Sequence, residues 1–115
     1  MAPELDYHNT FNVAGITYRQ DNVGDLAAEQ LVCLQPEPTN PHDPQAIQVL
    51  VCTTGGNDPK HIGYVPAPLC PHIHARLNKD TGPGIWDCMI QRTWDKDGKV
   101  YATVGFTTDQ FIPKR

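Results

Sequence analysis

The chain has 115 residues, a net charge of −4 and four cysteines. That length makes one domain able to bury a core without staples, and no apolar run is long enough to span a membrane. The acidic balance argues against a nonspecific nucleic-acid coat.

In chain order, residues 1 to 10 read as a loose N-terminal arm and residues 11 to 110 as a single domain. Met1 to Asp6 has neither the basic start nor the apolar stretch of a signal peptide, so an intracellular protein, in cytoplasm or nucleus, is expected. Phe11 to Arg19 is rich in β-branched and aromatic residues and predicts a first strand, with Gly15 as a bulge or close approach. Residues 20 to 28 read as a loop with a helical turn. Gln30 to Gln35 and Ala46 to Thr53 predict the next two strands, and His61 to Val65 a short fourth after the turn signal Gly55 to Pro59. Pro66-Ala67-Pro68 opens a helix, because proline suits a first helical turn, and Leu69, Ile73 and Leu77 give it one apolar face over residues 66 to 78. Ile85 to Trp94 and Lys99 to Thr107 pair as a hairpin across Asp95-Lys96-Asp97-Gly98. The sum is a mainly β fold, a small six-stranded barrel with one principal α-helix. Periodicity leaves OB-like and SH3-like barrels both open.

Cys33, Cys52, Cys70 and Cys88 are scattered without a C-x-x-C pair and read as reduced thiols. Charge is uneven. Residues 1 to 59 hold one basic residue, Arg19, against eight acidic ones, a balance of −7; residues 60 to 115 hold eight basic and five acidic, a balance of +3. That division suits a small, local binding site, although an ordinary solvated surface explains it as well.

The stretch Asn40-Pro41-His42-Asp43-Pro44-Gln45-Ala46-Ile47-Gln48-Val49 carries the most information. Each proline fixes its own φ and extends the residue before it, so Asn40, His42, Asp43 and Gln45 sit on a stiff loop between strands. Polar loops on a rigid scaffold are common binding sites. The bland reading of Asp43 is a turn cap bonding backbone N–H groups. That of Tyr18 and Tyr64 is a half-buried strand tyrosine with its hydroxyl in water.

Three blocks in order carry a family resemblance: Val13-Ala14-Gly15-Ile16-Thr17-Tyr18-Arg19-Gln20, then Glu37-Pro38-Thr39-Asn40-Pro41-His42-Asp43-Pro44-Gln45-Ala46-Ile47, then Ile62-Gly63-Tyr64-Val65-Pro66. Together they resemble the signature of the HIRAN domain. That domain occurs at the N-terminus of helicase-like transcription factor and its fork-remodelling relatives, and as small stand-alone bacterial proteins. Beyond residue 80 the likeness is only to a strand pattern. The resemblance implies a barrel related to the OB fold. It also implies a non-catalytic module for single-stranded DNA, preferably a free 3′-hydroxyl end, in a DNA-repair setting with a helicase or nuclease acting beside it. It implies that Tyr18 stacks on the terminal base, with His42 beside it where the family usually has tyrosine. Asp43 would hold the terminal hydroxyl. Tyr64, at a histidine position of the helicase-type domain, would close the pocket. Thr17 stands where those domains often have arginine, and Arg19 and Lys60 are the candidate phosphate contacts.

Two other classes compete with this reading. A protein-interaction module fits the same scaffold. A small metal-dependent hydrolase would use His61, His72 and His74, whose residue type suits zinc. However, His72 and His74 fall roughly 200° apart around a helix and point away from each other. No metal or cofactor is expected, and no nucleotide-binding or hydrolase motif is present. Trp86 and Trp94 are eight apart on one predicted strand and are expected on one face, in the core or, where solvent-facing, as a stacking platform.

Overall fold

Six strands form one antiparallel sheet in a computed structural model that describes residues 9–24, 26–52, 59–74 and 85–106. They are β1 (Asn9–Asn12), β2 (Leu31–Pro36), β3 (Ile47–Val51), β4 (Lys60–Tyr64), β5 (Ile85–Lys96) and β6 (Lys99–Phe106). Their order in the sheet is β1-β6-β5-β2-β3-β4, so β1 and β4 are its edges. Just past β1, Ala14 bridges Tyr64 of β4, each N–H donating to the other's carbonyl at 2.8 Å. The bridge closes the sheet on itself, which removes the unpaired edge and gives an OB-like barrel.

Alternation builds the core. Val32 and Leu34 of β2, Ile47 and Val49 of β3, Ile62 of β4, Ile90 of β5 and Val104 and Phe106 of β6 are all fully buried. Burying each such side chain is worth about 1.5–3 kcal/mol. Phe11 packs on Phe106 with ring centroids 6.0 Å apart. Cys33, Cys70 and Cys88 are buried and Cys52 is half-buried.

Closure depends on Gly63. A Cβ there would lie 2.5 Å from both the Ala14 carbonyl oxygen and Val13 Cγ1, so only a bare Cα lets the strap after β1 reach β4.

The strand expected over Phe11 to Arg19 is cut short. It ends at Asn12, and Gly15, at φ +70°, turns the chain into a 3-10 helix at Ile16–Tyr18. Ile16 is buried there, so tertiary packing overrides its β propensity. A second 3-10 helix covers Gln20–Asn22. The Gln20 side chain donates to Val100 O at 3.0 Å and accepts from Val100 N at 2.9 Å, standing in for the neighbour that β6 lacks at that point. Asn9 and Thr10, placed in the arm by sequence, belong to β1.

The expected helix begins as a 3-10 turn, Ala67–Leu69, and is α-helical over residues 70–74 with Ile73 fully buried. Leu77 and the turn at Gly55 to Asp58 lie outside the described residues. The β5–β6 hairpin turns on Asp97 (φ 54°) and Gly98 (φ 80°), as a two-residue turn with two positive φ values requires. A register shift between Ile90 and Arg92 reverses the alternation along β5. The expectation that Trp86 shares a face with Trp94 falls on a side chain outside the described residues. Trp94 lies half-buried opposite Tyr101, on the face away from the core-facing pair Thr93 and Ala102.

Candidate functional site

The loop between β2 and β3 is a stack of turns held at its base by Glu37 N–H donating to Ala46 O at 2.9 Å. Asn40 is its hub. Its Oδ1 accepts the N–H groups of His42 at 2.8 Å and Asp43 at 3.0 Å, the local bonding that makes asparagine a turn residue. Its Nδ2 donates to Glu37 Oε1 at 2.9 Å and lies 3.4 Å from the Tyr64 hydroxyl. That hydroxyl donates to the same Glu37 oxygen at 2.7 Å. The Asn40 and Tyr64 hydrogen bonds hold the Glu37 carboxyl below the usual carboxylate range, while burial and the Glu37 bond push the Tyr64 phenol up. Asp43 does cap a turn: its Oδ1 accepts Gln45 N–H at 2.9 Å. Among the described residues its other oxygen has no hydrogen-bond donor.

The opposite wall comes from the 3-10 turn at Ile16–Tyr18. Gly15, in the left-handed region, turns the chain so that Ile16 enters the core while Tyr18 ends 90% exposed. Arg19 follows, with Cζ 5.7 Å from the Tyr64 ring centroid, within cation–π range. His61 packs edge-on against Tyr64 at 4.9 Å. Both of its ring nitrogens are buried without a partner among the described residues, and burial, with the nearby Arg19 charge, lowers its pKa.

Between the walls lies a pocket of about 460 Å³. Tyr18, Arg19, His42, Asp43 and Tyr64, five of the six candidate residues, line it together with Gly15, Asn40 and Ala46. Lys60 does not: it is exposed at the far end of β4, about 13 Å of strand from Tyr64. Asn40 and Glu37 organise the site; by sequence Asn40 is one polar residue of the stiff loop and Glu37 has no role, and the signal for Asn40 is an asparagine with N–H groups to cap two and three residues on. His72 is exposed and His74 Nε2 sits 3.0 Å from Gln45 O. Among the described residues no three His, Cys, Asp or Glu side chains cluster to hold a metal ion. Nor is any described helix long and apolar enough to cross a membrane.

Chemically, the pocket offers one bare aromatic ring, a guanidinium over a second ring, and a carboxylate with an unused oxygen. The family model for the HIRAN domain matches residues 7–82, more than half of the chain, and leaves β5 and β6 outside. No curated protein and no solved structure matches the chain.

Proposed function

The chain belongs to the HIRAN domain family, a family of DNA-binding modules, and on that premise we propose that it binds single-stranded DNA at a free 3′-hydroxyl end without catalysing a reaction. The observation that carries this reading is Tyr18, a ring 90% exposed at a pocket that also holds a carboxylate and a guanidinium. A base stacked on such a ring gains about 1–3 kcal/mol whatever its identity. Tyr18 takes the terminal base, with His42 beside it. The free oxygen of Asp43 accepts the hydrogen bond of the 3′ hydroxyl. A 3′ phosphate has no such proton and brings like charge to the carboxylate, so it is repelled. Arg19 pairs with the last phosphodiester; Lys60 stands too far off for that contact. Tyr64 closes the pocket with its ring, because its hydroxyl is committed to Glu37.

The test is a titration of fluorescent single strands that differ only in a 3′ hydroxyl or a 3′ phosphate. Hydroxyl ends should bind more tightly, salt should weaken binding through counterion release, and Asp43→Ala should shrink the discrimination. Equal affinity for both ends and for closed circles would sink the end-binding reading. Absence of binding even at low salt would favour a protein-interaction module on the same barrel.

A further inference from the structure

The hairpin outside the family match carries a second surface of nucleic-acid character. Its register pairs Trp94 with Tyr101 and Lys96 with Lys99, and puts Arg92 two residues from Trp94 on the same face. The Trp94 and Tyr101 rings stack, 5.8 Å apart at an interplanar angle of 18°, and the Arg92 guanidinium lies 4.5 Å from the Trp94 centroid. Arg92, Lys96 and Lys99 are exposed; both rings are half-buried, so each keeps part of its surface in water. Among the described side chains of the hairpin no acidic one shares this face: Asp95 pairs with Val100 on the other side, and Asp97 is in the turn. In a chain of net charge −4, three cations gathered round two stacked rings match a polyanion with flat bases.

The position matches too. Val13 donates to Ala102 O, next to Tyr101, and the following residue, Ala14, bridges Tyr64 at the pocket. That strap, with its small alanine, lies between the two aromatic sites. They lie about two strand spacings apart, on the order of 10 Å.

We propose that the Arg92–Trp94–Tyr101 face, with Lys96 and Lys99, holds the stretch of single-stranded DNA that leads away from the end pocket. This rests on the reading of that pocket as a single-strand site. The strand crosses the barrel over Ala14; Trp94 and Tyr101 take a base and the lysines take phosphates.

The test compares wild-type affinity for 3′-hydroxyl strands of about three and about twelve nucleotides, a span within known single-strand sites. Wild type should gain with length. Trp94→Ala and the surface double variant Lys96→Glu/Lys99→Glu should each lose about tenfold on the long strand and leave the short one unchanged. Trp94→Phe should keep most of the gain. The double variant touches only exposed side chains beside the turn, so its loss cannot come from misfolding. If the short strand binds but length adds nothing, or if the variants match wild type on the long strand, this inference alone fails. If wild type binds neither length, the pocket reading falls with it.

Discussion

The two walls of the pocket reach rigidity by opposite routes. The wall from residues 37–46, with Tyr64, is a web of hydrogen bonds in which Asn40 and Glu37 serve every neighbour. The wall from residues 15–19 is a bare tyrosine on a tight turn, set by one glycine with φ +70°. Polar groups fixed before a ligand arrives discriminate, since a wrong ligand leaves them unpaired. A ring open to water gives affinity without choosing. On the proposed reading, selectivity falls to the first wall and binding strength to the second, and the two meet at the Ala14–Tyr64 bridge.

The largest disruption should come from that meeting point. Gly63→Ala puts a methyl 2.5 Å from Ala14 O and Val13 Cγ1, and the strap must lift off β4. Overpacking of this kind costs about 1–3 kcal/mol. Thermal melting should show the loss, and single-strand binding should fall for every end type at once. An unchanged melt would mean that the walls are not coupled through the bridge.

Tyr18→Ala should separate binding from stability. With the ring 90% exposed, the unfolding free energy should stay within about 0.5 kcal/mol of wild type. Affinity for hydroxyl and phosphate ends should drop together by about 1–3 kcal/mol. Asn40→Ala should do the reverse. It strips two backbone N–H groups of their acceptor and Glu37 of a donor, costing about 1–2 kcal/mol of stability. Discrimination between the two ends should fall more than affinity does. Were Asn40→Ala to leave discrimination intact, selectivity would belong elsewhere.

Much of this was readable in the sequence wherever a local rule had no tertiary competitor. The strands with clean alternation, such as Ile47 to Val51, and the Asp97-Gly98 turn fall within a residue or two of expectation. The strand expected over Phe11 to Arg19 was lost because Gly15 gives the chain a left-handed step that no neighbouring residue announces. The sequence left Trp94 between core and solvent, because the extra residue near Gln91 that sets its face is a bulge, and a bulge leaves no mark in hydrophobic period. Lys60, a candidate phosphate contact by sequence, lies four residues along β4 from Tyr64 and so well away from the pocket. The hub role of Asn40 was legible in principle, since asparagine caps the N–H groups that follow it, but that it also reaches Tyr64 and Glu37 is purely tertiary.

The smallest expected effect is on acid sensitivity, and it again tells the walls apart. His61 lies behind Tyr64 with both ring nitrogens buried; burial and then Arg19 lower its pKa, while the Glu37 charge partly offsets them. A lowered folded value means that the native state prefers the neutral ring. Stability from this source is complete above the ordinary histidine range, where both states are neutral. As pH falls, the unfolded chain takes up the proton first, and the loss is complete once pH has passed below the lowered folded value. Glu37 acts further down. Its carboxyl is held low by Asn40 and Tyr64, so its contribution is present above the ordinary carboxylate range and is lost as pH falls through the lowered value. Chemical denaturation across pH should therefore show two successive losses. His61→Phe should flatten the upper one, because a ring that cannot charge has no proton to refuse, and leave the lower. Asn40→Ala should weaken the lower and leave the upper. A His61→Phe profile that follows wild type throughout would mean that His61 has the same proton affinity in both states, and that its burial behind Tyr64 is only packing.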